Sequence, residues 1–388
     1  MRIAALLLLF ISLTSQAREV TDLLGRQVTV PDHPQRVVLG ESRMLYTLAL
    51  LEPGYPAARI AGWPGDLAKY DPQTWAQYLH AFPQLAAIPQ FGNGSINDIN
   101  AEKVLALRPD LVILPRLAKT TANSAAFMQL MEQAGVPVVV VDLRVDLLHN
   151  TVPSVRLLGE IFEQPQRAQA FIDFYQQHMA AIQQRLAAYH GPKTRVMLHL
   201  HLGRRDTCCT TAVNGNLGQL LAFAGGENIA AAQVSGVFGE LNPENVLAAN
   251  PQVYIATGMA APEEGARTVS LGPQVSAAQA SASFTQIMAA QPVLAHLAAV
   301  QTGRAYALWH NFYLSPYHVV AAEFFAKALY PQQFADVNPQ QTMQDLYRRF
   351  LPLEFSGTFW SQLPHENHRH LPAGQQPAHP GPQPGGAG

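Results

Sequence analysis

Charge is scarce in this sequence. Only 13% of its 388 residues are Asp, Glu, Lys or Arg, 25 basic against 27 acidic, for a net charge of -2, whereas soluble domains ordinarily carry about 25%. No long basic run is present to track a phosphate backbone, which argues against a nucleic acid as partner. Cysteine is nearly absent too. Cys208 and Cys209 are the only two, and their adjacency rules out a disulfide framework as the source of the fold. Beyond the first residues, no apolar run approaches the roughly 20 residues that cross a bilayer. G-x-S-x-G, H-E-x-x-H and P-loop sequences are missing, which removes the motif grounds for reading the chain as a secreted hydrolase.

What is present is apolar material: 48% of the residues are hydrophobic, enough for packed cores in two domains at this length. Met1-Arg2, the apolar run Ile3 to Leu13 and the small residues Thr14-Ser15-Gln16-Ala17 have the three parts of a cleavable export signal. Cleavage is expected after Ala17. No cysteine near that point can carry a lipid, so the mature chain is expected to be soluble in a bacterial periplasm. In that oxidising compartment Cys208 and Cys209 either form a vicinal disulfide or remain small buried residues without redox duty.

Val- and Ile-rich strands alternate with helices along the chain. Strands are expected at 27–30, 36–40, 59–63, 110–114, 136–141 and 195–200, with helices at 101–107, 125–134 and 217–224. Such alternation indicates a mainly parallel sheet covered by helices on both faces. The longest helical pattern runs from Pro165 to about Tyr189, with Phe171, Phe174, Tyr175, Met179, Ile182 and Leu186 on one face. The expected organisation is a signal at 1–17, an α/β lobe at 18–164, a linking helix at 165–190, a second α/β lobe at 191–362 and a disordered tail rich in His, Pro and Gly at 363–388. His365, His368 and His370 in that tail lack preorganised geometry for a metal.

Two segments align without gaps, 99–114 (Ile-Asn-Ala-Glu-Lys-Val-Leu-Ala-Leu-Arg-Pro-Asp-Leu-Val-Ile-Leu) and 241–256 (Leu-Asn-Pro-Glu-Asn-Val-Leu-Ala-Ala-Asn-Pro-Gln-Val-Tyr-Ile-Ala). Seven of the 16 positions are identical. Each reads as an Asn cap, a short helix, a Pro break and a buried strand. Glu102 and Glu244 fall in the first turn, where a carboxylate meets the positive end of the helix dipole. They serve either as helix stabilisers or as two matched acidic studs for a basic partner.

With the repeat in view, the sequence resembles the periplasmic substrate-binding proteins of ABC importers for iron-siderophores, haem and vitamin B12. The resemblance rests on Asp22-x-x-Gly25-Arg26, Pro34-x-Arg36-Val37-Val38, Ile60-Ala61-Gly62, Asn100-x-Glu102 with Pro109-Asp110-Leu111, Gly135-Val136-Pro137-Val138, Ala224-Gly225-Gly226-Glu227-Asn228, Pro243-Glu244 with Asn250-Pro251, and Gly303-Arg304-x-Tyr306. It implies two lobes joined by one rigid helix, a ligand cleft between them, and docking of Glu102 and Glu244 on permease arginines.

Independently of that resemblance, ligands of parallel α/β sheets sit at the carboxyl ends of strands. The loops there carry Ser42 and Arg43, Trp63, Phe91 to Asn93, Arg116, His201, Arg204 and Arg205, and Trp309 to Tyr313. The expected ligand contacts are Arg43, Trp63, Arg116, Arg205, Trp309 and Tyr313, only one of the adjacent Arg204 and Arg205 being expected to face the ligand. Guanidinium forks suit anionic oxygens and aromatic faces suit apolar or planar surface. His199 and His201 are expected on one face of a strand. The resulting expectation is a monomeric, non-enzymatic receptor without cofactor that takes a ferric siderophore, or else haem or cobalamin. A bare metal ion and a docking subunit without small ligand are more distant readings.

Overall fold

A computed structural model describes residues 17–92, 99–117, 122–204, 208–260 and 267–365. Residues 1–16 of the proposed signal, Asn93, Arg205 and nearly all of the tail lie outside the described residues. Among those described, no helix is long and apolar enough to cross a membrane.

Two sheets carry the fold. In the N-terminal lobe, Ile60–Gly62, Val37–Leu39, Leu111–Pro115 and Val138–Val141 lie in that order, all parallel. In the C-terminal lobe, Gly226–Asn228, Thr194–His199, Val253–Gly258 and Ala305–Trp309 are also parallel, and Trp360–Gln362 closes the edge antiparallel to the last. Taken in chain order, each lobe places its second strand outside its first and its third on the first strand's other side. The lobes therefore share a topology, with one added edge strand in the second. Leu111–Pro115 and Val253–Gly258 are buried at every position, as strands with both faces covered must be.

The repeated segments occupy matching places. Asn100 caps Ala101–Ala106 by accepting from the Lys103 N–H at 2.9 Å, and Asn242 caps Pro243–Ala249 by accepting from the Glu244 N–H at 2.8 Å. Each helix is followed by a left-handed residue before the proline, Arg108 at φ 51° and Asn250 at φ 43°. The chain then enters the third strand of its lobe.

Between the sheets runs Pro165–Ala187, 23 residues and about 35 Å long. Its buried face contains Phe171, Phe174, Tyr175, Met179 and Ile182. It packs on the helix Leu147–Ile161 of one lobe and on His318–Leu329 of the other. On the second contact, the Tyr175 hydroxyl lies 2.6 Å from His318 Nε2, and His178 Nδ1 lies 2.6 Å from Glu323. Polar ties inside an apolar seam fix the helix in register against the C-terminal lobe.

Two aromatic expectations are corrected by this packing. Trp63 is wholly buried, with its ring edge-on to Trp75 at 6.2 Å. Trp309, the last residue of its strand, lies among Tyr46, Phe312 and Phe359 at 5.2 to 5.8 Å. Successive residues at a strand end point to opposite sides, so where His310 faces the cleft Trp309 faces the core.

Candidate functional site

In a sheet whose second strand lies outside the first, chain connections leave in opposite directions from the first and third strands, and a crevice opens at their carboxyl ends. Both lobes have that crevice, and the two face each other. The cavity between them has a volume of about 330 Å³. From the N-terminal lobe, Gly40, Glu41 and Arg43 follow the first strand, Asp66 and Tyr70 the second, Pro115 ends and Leu117 follows the third, and Arg144 follows the fourth. From the C-terminal lobe, His201 and Arg204 follow the first strand, Met259 the third, and His310 and Tyr313 the fourth.

The N-terminal wall is an ion-pair network. Arg43 is buried, 2.9 Å from Glu41 and 3.0 Å from Asp66. Glu41 also pairs with Arg144. Asp66 is held by the Ser42 N–H at 2.7 Å and the Ser42 hydroxyl at 2.8 Å. Burial opposes the charge on Arg43, yet Tyr313, Glu41 and Asp66 together hold its pKa well above the ordinary value. Burial, reinforced by Glu41, pushes the Asp66 carboxyl upward against the pull of Arg43 and Ser42.

Arg43 also crosses the cleft. Its Nη1 donates to the Tyr313 hydroxyl at 3.2 Å and to Asn311 Oδ1 at 3.4 Å. Guanidinium groups lie against tyrosine rings, Arg43 and Arg204 at 5.0 and 5.8 Å from Tyr70, and Arg144 at 5.7 Å from Tyr313. Such contacts orient the forks while leaving N–H groups for a ligand. Arg204 is exposed, and among the described residues no carboxylate pairs with it.

The C-terminal wall is built from rings. His201 and His310 lie 3.7 Å apart between centroids, and Tyr313 is 4.9 Å from His310. The buried Thr257 hydroxyl accepts from the His201 backbone N–H at 2.9 Å and lies 2.9 Å from His310 Nδ1. Burial first, then His201, Arg43 and Arg204, drive the His310 pKa well below 6.5, so its ring is neutral at physiological pH. The strand ends at His199, and His201 sits in a left-handed turn at φ 55°. These two histidines therefore do not share a strand face: His199 is buried against Tyr254 at 2.7 Å, with burial lowering its pKa to about 4.

Among the expected contacts, the structure brings Arg43 and Tyr313 together on the cavity wall, joined by Arg204. Arg116 stays off that wall, half-exposed and 3.4 Å from Asp142. Arg205 lies outside the described residues, and Trp63 and Trp309 belong to the core. Sequence reasoning missed Asp66, Tyr70, Arg144 and Met259. Arg144 and Met259 follow the strands ending at Val141 and Gly258, so the strand-end rule applied to every strand would have found them. Glu102 and Glu244 are exposed, each in the first turn of its repeat helix.

Two lobes of like topology, one long linking helix and a polar cleft at facing switch points define a two-lobed ligand receptor. The chain belongs to the periplasmic binding protein family, whose model matches residues 65–310. It is 26% identical over 354 residues to the molybdate-binding protein MolA of Haemophilus influenzae, covering 86% of this chain and 90% of that one. Its fold is similar to that of the TroA-like periplasmic binding protein FepB from Veillonella parvula, with a TM-score of 0.78 at 24% identity over 89% of this chain and 99% of the other. A periplasmic heme binding protein from Pseudomonas aeruginosa is similar at a TM-score of 0.54 and 22% identity, over 77% and 94% of the two chains. Proteins of this class bind a ligand and deliver it to an ABC permease; they are binding proteins, not enzymes.

Proposed function

We propose that this protein captures a compact anionic ligand, a tetrahedral metal oxyanion foremost, and hands it to an ABC permease. The observation that carries the reading is the convergence of Arg43, Arg144 and Arg204 on a cavity of about 330 Å³. Among the described residues, three guanidinium groups against the carboxylates of Glu41 and Asp66 leave one positive charge in excess on the wall. A volume at the lower end of small-molecule pockets, about 300 to 1,000 Å³, favours a small solute over haem or a corrinoid. The burial of Trp63 and Trp309 takes the two expected tryptophan faces away from a large planar ligand. The relative named for molybdate binding supports the same choice.

A ferric siderophore is the second reading. It is favoured by His201, His310 and Tyr313, whose nitrogen and oxygen atoms suit a chelated metal with open coordination positions. Export through residues 1–17 takes the chain to the periplasm, where it acts as a monomer. Residues 18–164 and 191–362 act as the two lobes around the 165–190 helix, and Glu102 and Glu244 dock on the permease.

Titration of the protein with molybdate, tungstate, a ferric hydroxamate, a ferric catecholate and haem, followed by tryptophan fluorescence and calorimetry, tests the choice. The expected result is saturable binding of an oxyanion that Arg204→Ala weakens. Binding of a ferric chelate alone moves the assignment to the second reading, and binding of haem alone defeats both. Glu102→Arg with Glu244→Arg should leave ligand affinity unchanged and abolish stimulation of the permease ATPase.

A further inference from the structure

Away from the ligand cleft, one group of metal-donor atoms among the described residues stands close together: His199, Cys208 and Cys209 lie within 4.8 Å of one another. His199 ends the first strand of the C-terminal lobe, and the cysteines begin the return toward Thr210–Ala212. Their backbones are fixed. Cys209 and Leu241 exchange reciprocal N–H to C=O bonds of 3.0 Å, and the Leu200 N–H donates to the Thr210 carbonyl at 2.8 Å. The Tyr254 hydroxyl occupies His199 Nδ1 at 2.7 Å, which leaves Nε2 as the nitrogen free to ligate. His199 and Cys209 are buried and Cys208 is half-buried. The two sulfurs are joined as a vicinal disulfide.

We propose that reduction of the Cys208–Cys209 disulfide opens a site for a thiophilic cation, Cu(I), held by the two cysteine sulfurs and His199 Nε2. The reductant is a dithiol, such as a thiol-disulfide oxidoreductase presents. It gives two electrons and two protons to the Cys208–Cys209 bond and leaves as its own disulfide. Cu(I) then displaces the two thiol protons to solvent and bonds both thiolates. Soft thiolates with one imidazole match Cu(I) in ligand type. A structural zinc ion takes four ligands, and the group offers three. The second coordination sphere is already in place, because a metal-bound histidine needs its other ring nitrogen held by a hydrogen bond, and Tyr254 does so here.

The position links this site to the cleft. His201 and Arg204 fall in sequence between His199 and Cys208, so an ion bonded to both ends clamps the segment that brings two cleft residues into place. The disulfide joins neighbouring residues only and cannot do this. Copper loading is therefore expected to stiffen the C-terminal wall of the cleft whatever ligand the cleft takes.

The test uses the full chain, reduced with a phosphine and freed of reductant without oxygen, in competition with a chromophoric Cu(I) chelator. Reduced wild-type protein is expected to withhold one copper per chain, and unreduced protein none. Cys208→Ser with Cys209→Ser should abolish retention, and His199→Ala should weaken it by at least about tenfold. Equal retention by the reduced double serine variant overturns the proposal by assigning the copper to histidines elsewhere. Loss on His201→Ala or His310→Ala with none on His199→Ala overturns it in favour of the cleft. Failure of reduced wild-type protein to hold copper overturns it as well, as does loss of native circular dichroism on reduction, since the three donors are then no longer held together.

Discussion

On the N-terminal side of the cleft the working groups are formal charges locked to one another, Arg43 and Arg144 against Glu41 and Asp66. On the C-terminal side they are the neutral imidazole of His310, the His201 ring and a phenol, with, among the described residues, one exposed guanidinium at Arg204. The strand order is the same in both lobes, so the difference arises in the loops and not in the scaffold. A duplicated topology fixes where ligand contacts arise, and the loop residues then divide the labour. One side holds preorganised charge, and the other offers rings and a free donor.

The largest expected effect comes from breaking the charged side. Arg43→Ala strips Asp66 of its guanidinium and Glu41 of one of two, inside a buried site. Removing one partner of a buried pair costs about 3 to 5 kcal/mol, read from urea unfolding midpoints. Truncating a buried charged contact to the ligand costs about 2 to 5 kcal/mol, so oxyanion affinity should fall by at least about 30-fold in calorimetry. Should His310→Ala weaken binding more than Arg43→Ala, the charged wall is not what holds the ligand and the comparison fails.

Next in size is an opposite response of the lobes to acid. His199 and His318, both in the C-terminal lobe, have pKa values pushed down by burial to about 4 and about 3. The His318 ring donates from Nδ1 to the Ser315 carbonyl at 2.9 Å and accepts the Tyr175 hydroxyl at Nε2, an arrangement only the neutral ring can make. As pH falls below about 6.5 the unfolded chain binds protons that the folded chain refuses. Stability must therefore fall with pH in this window, by up to about 1.4 kcal/mol per unit for each histidine, and stay flat above it. Asp66 and Asp71 in the N-terminal lobe have raised pKa values, burial being the chief cause. There the folded chain keeps protons the unfolded chain has lost, so their contribution is present at low pH and is lost as pH rises through the raised values. Hydrogen exchange between pH 6.5 and 4.5 should show C-terminal amides losing protection first, and His318→Gln should flatten the slope. Simultaneous loss in both lobes would remove the contrast.

These contrasts were unevenly legible in the sequence. The parallel sheets, the linking helix and the repeat were readable, because Val- and Ile-rich runs bounded by Pro and Gly report local conformation and burial. The placement of Arg43 and Tyr313 on the cavity wall was readable because both follow strand ends. Trp63 and Trp309 were misread for the same reason: the rule locates a loop without saying which way one side chain turns. The choice between cleft and core at residue 309 depends on Tyr46, Phe312 and Phe359, and Tyr46 comes from the other lobe. The pairing of Arg116 with Asp142 likewise needs two strands in register. Chemistry that depends on one loop was legible; chemistry assembled from distant segments was not.

The smallest effect tests whether the lobes are equal where their sequences repeat. Asn100 and Asn242 each satisfy one N–H at the start of a helix of six or seven residues, and replacing such a cap by Ala costs about 1 kcal/mol. The settings differ at one point, since the C-terminal helix begins with Pro243, whose fixed φ favours the first helical position without a cap. Asn100→Ala should therefore lower the unfolding free energy by about 1 kcal/mol and Asn242→Ala by somewhat less, both without change in ligand affinity. Glu102 and Glu244 stand two residues beyond these caps, so under the proposed docking a cap lost from either helix loosens one of the two acidic contacts and leaves the other. If both studs must engage together, either variant should depress stimulation of the permease ATPase to a similar degree, even though the stability losses differ. Depression by Asn100→Ala alone would mean that only the N-terminal lobe makes the contact, and that the repeat preserves a helix there and not a docking function.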